Sequence, residues 1–555
     1  MKGGFLFSGA MAILFVVAIN LLAGQVHYRF DLTEDRRYTL SGPAVEVAQR
    51  FDGPVTVDIL LAGELPAEFA WLRSETVQLL EAFASKNPNI KYNLVDPLED
   101  PRQAERTIAE LQAMGIQPAS VTVEEQGRTT NELVFPWALV NHGDRTVKVP
   151  LLKNKLGSSS EDLVNNSVQQ LEYAFADAFT KLTLVDKKNI AVIKGNGQME
   201  DIHLADYLTG IREYYNIGPI TLDSVATDPQ GVLDQLLNFD LALIAHPTEA
   251  FSEAEKYVLD QFMVQGGKTL WLVDRVAMEM DSILAGGGRA FALPRELNLG
   301  DLFFNYGLRI NPVLVNDLYF TQIVLASGEG SESQYNPLPW YYHPMVFSRN
   351  DHPINTNIEA VRFQFTSPIE LLGEAYDKHV LLASSPLSKT DGTPREISLE
   401  LLNNPPDRES YDPGHFPLGV LVEGGFNSMY SNRIKPLNLK NTRDKGPDNK
   451  MILISDGDLI KNQLSGGRPL ELGYDKWTNS FYGNKEFLIN CTNYLLDDTG
   501  LLALRSKRVS IPMLDVEKIA VQKNKWRILN IGLPLLLALL LGLGFGWYRK
   551  RKFAR

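Results

Sequence analysis

A mixed α/β protein carried between two membrane-spanning helices is what this sequence predicts. Three observations predict it: a long uncharged apolar run near each end, short apolar runs alternating with amphipathic ones in between, and a composition of 44% hydrophobic and 22% charged residues. Between the two apolar runs lie about 500 residues, enough for two or more hydrophobic cores.

Residues 528–548 read ILNIGLPLLLALLLGLGFGWY, without a formal charge, and stop against Arg549, Lys550, Arg551 and Lys552. At about 1.5 Å per residue this run crosses the ~30 Å hydrocarbon layer, and a helix satisfies its own backbone there. Trp526, Trp547 and Tyr548 stand at its two ends, where interfacial aromatics belong. Gly542 and Gly546 have the small-xxx-small spacing that lets a partner helix pack closely. Residues 3–24, GGFLFSGAMAILFVVAINLLAG, form a second uncharged run. A cleaved secretory signal is the competing reading, but the apolar core is long and no A-x-A site follows it, which favours a retained anchor over residues 1–25. Two spans put both termini on one side. The tail 549–555 holds five basic residues and no acid, which places it in the cytoplasm and the body between the spans outside it, in the periplasm of a Gram-negative host. Lys518, Lys523, Lys525 and Arg527 precede the last span and are expected at the membrane surface, on lipid headgroups or on acidic residues of a partner.

The net charge is −13 even with the basic tail, so the body is acidic and nucleic acid is not its partner. Cys491 is the sole cysteine, which excludes an intrachain disulfide and a cysteine-built metal site.

Taken in order, residues 26–157 form the first expected domain. A helix opens at Pro43 after Ser41, followed by a strand at 55–61 and a helix with Leu72, Val77, Leu80 and Phe83 on one face. A strand at 90–95, a helix at 102–114 and two alternating strands at 120–124 and 146–149 complete it. The β-α-β-α-β-β order predicts a small thioredoxin-like domain; with no CxxC it has no redox chemistry. Ser158-Ser-Ser-Glu161 has the form of a capping box, and Leu163, Val168, Leu171, Phe175, Phe179 and Leu182 recur at helical spacing, so residues 158–185 read as a connecting helix.

Residues 186–500 predict a larger Rossmann- or amidotransferase-like domain. Strands at 189–193, 239–245 and 268–273 alternate with helices at 204–215 and 252–265, a pattern that means a parallel sheet covered on both faces. Runs at 379–383, 418–422 and 451–455 extend the sheet, while Gly286–Gly288, 335–344 and 403–417 read as surface loops. Residues 501–527 form a membrane-proximal stalk.

Few residues invite chemistry. Lys194-Gly-Asn-Gly-Gln198 follows a strand but lacks the third glycine of GxGxxG and the GK[ST] of a P-loop, so it reads as a tight turn. Asp274, Asp456 and Asp458 follow the carboxyl ends of predicted strands, where open α/β sheets place ligands; Asp is equally an ordinary turn residue. The eight histidines form no HxH or HExxH pair, and Cys491 lies in the helical run 485–496 rather than on a strand-to-helix elbow. No catalytic, cofactor-binding or metal-binding residue is assigned, and no ATPase motif is present.

The stretch 484–507, NKEFLINCTNYLLDDTGLLALRSK, together with RFDLTEDRRYTLS at 29–41 and LISDGDLI at 453–460, resembles the GldG family of ABC-transport auxiliary proteins, which serve the gliding-motility transporter of Bacteroidetes. The resemblance spans nearly the whole chain. It implies a non-catalytic inner-membrane subunit without a cofactor, partnered by a GldF-like permease and a GldA-like ATPase, with links to gliding and type IX secretion. Motion driven by ATP in the cytoplasm would then pass to the outer body through residues 501–527. Two alternatives stand beside it: a solute- or glycan-binding receptor whose cleft is lined by Trp271, Trp340, Tyr341 and Tyr342, and an envelope hydrolase using Asp274 and Asp456.

Overall fold

The structure is a computed structural model that describes residues 39–553 apart from 101, 126–127, 154–159, 185, 328–333, 349, 351, 357, 404–405, 412–413 and 498–515. The first apolar run, Ser158 of the expected capping box and most of the expected stalk lie outside the described residues. The chain divides into two compact units, Met1–Arg508 and Val509–Arg555.

The first unit begins with α1 (Gly42–Gln49), with Ser41 at its N-cap and proline in its first turn. Strand β1 (Val55–Ile59) buries Val55, Val57 and Ile59 in strict alternation, and α2 (Ala67–Lys86) carries it over to β2 (Ile90–Leu94), which runs parallel to it. After α3 (Ala104–Ala113) come β3 (Ala119–Glu125) and β4 (Arg128–Val134), paired with each other as a separate hairpin, then β5 (Trp137–His142) and β6 (Arg145–Pro150). The main sheet has the order β2-β1-β5-β6. Four strands therefore follow α3 where two were expected; RTTNELV and WALVNH mix polar and apolar residues too evenly for either to stand out by periodicity. Helix α4 (Ser160–Thr183) lays Phe175 and Phe179 into this core, where Phe51 and Phe83 meet Phe179 edge-on at 5.5 and 5.1 Å.

The larger sheet is built from β7 (Asn189–Lys194), β8 (Asn216–Thr221), β9 (Leu241–Ala245), β10 (Lys268–Leu272), β19 (Asp377–Ala383), β22 (Pro417–Asn427) and β23 (Lys445–Ile454) in the order β19-β22-β23-β10-β9-β7-β8. Period-two alternation sorts its side chains. Ile190, Val192, Leu241 and Leu243 face one core with α5 (Asp201–Arg212), while Ala191, Ile193, Ala242 and Ile244 face the other with α6 (Pro229–Leu236) and α7 (Glu253–Val264). Ser252 and Glu255 form a full capping box at the start of α7.

The expected all-parallel sheet is corrected in one strand. β22 is antiparallel to both β23 and β19, because residues 428–444 return directly to β23 without a crossover helix.

Between β10 and β19 the chain builds β-rich structure, with Gly286–Gly288 a turn as expected. It comprises β11 (Val276–Ala277), α8 (Met280–Ala285), β12 (Arg289–Pro294), α9 (Gly300–Asn305), β13 (Leu308–Ile310), β14 (Val313–Asp317), β15 (Phe320–Ser327), β16 (Gln334–Val346), β17 (Val361–Arg362) and β18 (Ile369–Leu371). Strands β20 (Ser388–Gly392) and β21 (Arg395–Ser398) pair back onto β14 and β12. The stretch 335–344, read as a surface loop, lies within the 13-residue strand β16. Trp340 and Tyr342 alternate into a core with Val276, Leu314, Ile323 and Phe365. Helix α10 (Asn484–Leu496) closes the body and buries Cys491 completely.

The second unit contains α11 (Val516–Phe553). Its segment Lys525–Lys552 is, by length and composition, apolar enough to cross a membrane.

Candidate functional site

The three acidic residues singled out by their place after strands come together. Asp274 follows β10, Asp456 and Asp458 follow β23, and His246, the residue after the neighbouring β9, joins them in the left-handed region at φ 52°. His246 Nε2 lies 3.6 Å from Asp274 Oδ2, and its Nδ1 lies 3.5 Å from Asp458 Oδ1. Arg295, just beyond β12, brings Nη1 to 3.2 Å from His246 Nε2, and Lys461 Nζ stands 3.3 Å from Asp458 Oδ1.

Backbone donors occupy much of this acidic set. Gly457 N–H donates to Asp274 Oδ1 at 2.7 Å, Gln364 N–H to Asp456 Oδ2 at 2.5 Å, and Asp458 N–H to Asp456 Oδ1 at 2.8 Å. A Cβ at position 457 would stand 2.8 Å from both Asp274 Oδ2 and His246 Cγ, so glycine is what allows the backbone this close. Thr366 Oγ1 donates to Ser455 O at 2.8 Å one step further along. The Asp456 carboxyl and the Ser455 carbonyl therefore fasten residues 364–366 of the inserted β structure onto the end of the sheet.

Burial sets the protonation. It raises the Asp274 carboxyl to about 6 against the pull of His246, and pushes Asp456 well above its usual range with help from Asp274 and Asp458. Burial would raise Asp458 too, but His246 and Lys461 outweigh it and hold that carboxyl below the ordinary carboxylate range. Burial opposes charge on His246, yet Asp458 and Asp274 prevail and its pKa rises. Nearby His343, packed edge-on against Phe365 at 5.0 Å, is driven well down by burial. The cluster is an internal ionic joint, with Asp456 fully buried and the other three no more than 8% exposed. Among the described residues, no group of three or more His, Cys, Asp or Glu is placed to hold a metal ion.

His246 and Arg295 were not singled out from the sequence. His246 carried a signal, since it ends the apolar run of β9 as Asp274 ends that of β10. Arg295 carried none, because only the fold of the inserted strands brings it to the sheet.

The expected turn at 194–198 is present. Gly195 and Gly197 take positive φ, and Thr248 and Glu249 N–H both donate to Asn196 O at 3.0 Å. These loops close the crevice between β7 and β9, where the strand order reverses and open α/β sheets receive ligands. The aromatic set proposed for a receptor cleft is corrected: Trp271, Trp340 and Tyr342 are core residues, and Tyr341 packs edge-on against Phe320 at 5.0 Å. A cavity of about 570 Å³ lies instead beside Arg275, Leu297, Phe303 and Arg309; none of the four rings lines it, although Phe303 packs edge-on against Trp271 at 5.3 Å behind its wall. In the second unit Gly542 and Gly546 are exposed, with open space where a Cβ would stand, and Lys525 and Arg527 are exposed on the same helix. The side chains of Lys518 and Lys523 lie outside the described residues.

Comparison with known proteins adds the family. Residues 34–141 match a domain of unknown function, DUF7088, and residues 187–491 match a family described as an ABC-type uncharacterized transport system. No curated protein matches. Among solved structures, the mmIFT52 N-terminal domain aligns with 56% of this chain and 99% of its own length at 12% identity, with a TM-score of 0.32. The transport-system match spans more than half of the sequence and takes in the whole seven-stranded sheet with its acidic joint, and on that ground the chain belongs to this family of ABC-transport auxiliary proteins.

Proposed function

We propose that this protein is a non-catalytic auxiliary subunit of an ABC transporter complex, held in the bacterial inner membrane by α11 and by the apolar run at 3–24, with both termini cytoplasmic and its body in the periplasm. The observation that carries this reading is the family match over 187–491 in a chain that also bears a span-length apolar helix. The partners are a permease and a cytoplasmic ATPase, of the GldF and GldA type in the finer reading, which assigns the complex to gliding motility and type IX secretion. Gly542 and Gly546 provide the close-packing face toward a permease helix. The four-stranded sheet, a parallel βαβ pair followed by an antiparallel hairpin, supports a thioredoxin-like first domain.

Asp274, Asp456 and Asp458 serve in this reading as the joint that keeps the inserted strands rigid on the sheet, so that force applied through residues 501–527 moves the body as one piece. Purification of the tagged chain from its own membranes in mild detergent, with mass spectrometry and an ATPase assay on the eluate, tests the assignment. Recovery of a permease and an ATPase in stoichiometric amounts is expected; the chain alone, without ATPase activity, would replace this reading with a free-standing envelope protein.

A further inference from the structure

The return from β22 to β23, residues 428–444, has a firm base and a bare tip. At the base Ser428 Oγ and Met429 N–H donate to the buried carboxylate of Asp260 at 2.6 and 2.8 Å. Gln261 donates to Arg443 O at 3.0 Å and accepts from Arg443 N–H at 2.8 Å. Leu437 and Leu439 pack inward on the core. Ile434 does the opposite: it is 94% exposed, the largest exposure among the large apolar side chains of the described residues. A tip this well anchored holds its isoleucine in water by construction, whereas a loose loop would fold the side chain under.

Charge surrounds the tip. Residues 433–445 contain five basic residues and one acid in a chain of net charge −13. Arg433 and Lys435 flank Ile434, with Lys435 Nζ donating to Asp444 Oδ1 at 3.1 Å, and Lys440, Arg443 and Lys445 are also exposed, so the stretch keeps a net positive charge after that pairing. Arg433 Nη1 reaches Asp301 Oδ2 of α9 at 3.3 Å, and Asn305 of the same helix donates to Asn427 O at 2.8 Å. That helix adds a second bare apolar side chain, Phe304, at 57% exposure.

We propose that residues 433–445 form a finger that seats Ile434 among the headgroups of an anionic lipid bilayer. An aliphatic tip ringed by cations is complementary to a surface that is both negatively charged and penetrable, and a protruding residue needs no preformed pocket there. The span-length helix α11 keeps such a surface within the chain's reach, and the inference stands whether or not the transporter partners are as proposed.

The test uses the full chain with Asn432→Cys carrying an environment-sensitive fluorophore; Cys491 is fully buried and stays unlabelled. The chain is reconstituted into vesicles of phosphatidylcholine alone or with phosphatidylglycerol, with and without nitroxide-labelled lipid. Quenching several-fold stronger in the anionic vesicles, weakened by salt and lost in the triple variant Arg433→Gln, Ile434→Ser, Lys435→Gln, is the expected result. A label at Lys525→Cys reports insertion of α11 in each sample. Quenching at 525 without quenching at 432 overturns the proposal, as does quenching at 432 that ignores lipid charge and survives the triple variant. A blue shift at 432 without nitroxide quenching places the finger against protein, which in these vesicles is the chain itself or a second copy of it, and likewise overturns it.

Discussion

Gly457 N–H donates to Asp274 Oδ1 across 2.7 Å, joining the turn after β23 to the end of β10 at a distance that no side chain on residue 457 would permit. The bond closes an internal acidic joint whose charge depends on burial. Its sensitivity to shape and to pH gives the first two expectations.

Gly457→Ala places a methyl group 2.8 Å from Asp274 Oδ2 and from a ring carbon of His246, both held by packing. The turn must shift and lose its bond, for a destabilisation of about 1–3 kcal/mol. Denaturant unfolding of the solubilised chain checks it; an unchanged midpoint would show that the turn yields freely.

Stability near this joint should fall as pH rises. A carboxyl raised to about 6 in the folded protein, against about 3.9 unfolded, binds its proton more tightly when folded, so Asp274 contributes stability that is fully present below about pH 4 and lost as pH climbs through about 6. His246, raised above its ordinary range, adds a contribution that is lost at higher pH, as its own proton leaves. Asp458, depressed, acts in the opposite sense at the acidic end. Burial opposes charge on Lys461, yet chiefly Asp458 raises it above its ordinary range, so it stays charged across this span and sets the background. Unfolding midpoints across pH 4 to 8 should decline for the native chain, and Asp274→Asn should flatten the lower part of that decline.

The buried carboxylate of Asp260 holds the base of the 428–444 loop. Asp260→Ala leaves a hydroxyl and an N–H without their acceptor, at a cost of about 1–3 kcal/mol. Hydrogen exchange should accelerate at Met429 and along the loop while β9 and β10 keep their protection. Uniform acceleration across the sheet would mean that Asp260 supports the whole core.

Replacing Gly542 and Gly546 with leucine should leave α11 inserted and reduce recovery of a permease several-fold, since the larger side chains hold the partner backbone away. Quantitative mass spectrometry of the purified complex reads the loss. Full recovery would move the contact to another face of the helix.

Cys491 sits at 0% exposure in α10, and burial pushes its thiol pKa well up. Maleimide should leave it unmodified in the folded chain and label it fully in denaturant. Labelling under native conditions would show that α10 opens readily.

Local pattern was enough for much of this molecule. β-branched content announced β1, short fully apolar runs announced β7, β9 and β10, helical spacing announced α2 and α4, and the carboxyl ends of apolar strands singled out Asp274, Asp456 and Asp458 as candidates without showing that they meet. Their pairing with Arg295 and Gln364 was not legible, because those residues reach the sheet from strands far away in sequence. Nor was β16: a run of Tyr, Pro, Trp and His looks like a loop until its partners β15 and β17 supply the hydrogen bonds and the core that its alternate rings enter.

By itself the sequence determined the mixed α/β class, the span-length helix near its carboxyl end and the absence of a cysteine-built site. These depend on composition and on spacing within a single segment, which the chain carries wherever it folds. Tertiary structure alone decided the antiparallel placing of β22, the burial of Trp271, Trp340 and Tyr342 away from any cleft, and the protonation of the acidic joint. Each of these is set by what lies across space, and a carboxylate's pKa or a ring's exposure has no value until its neighbours exclude the water.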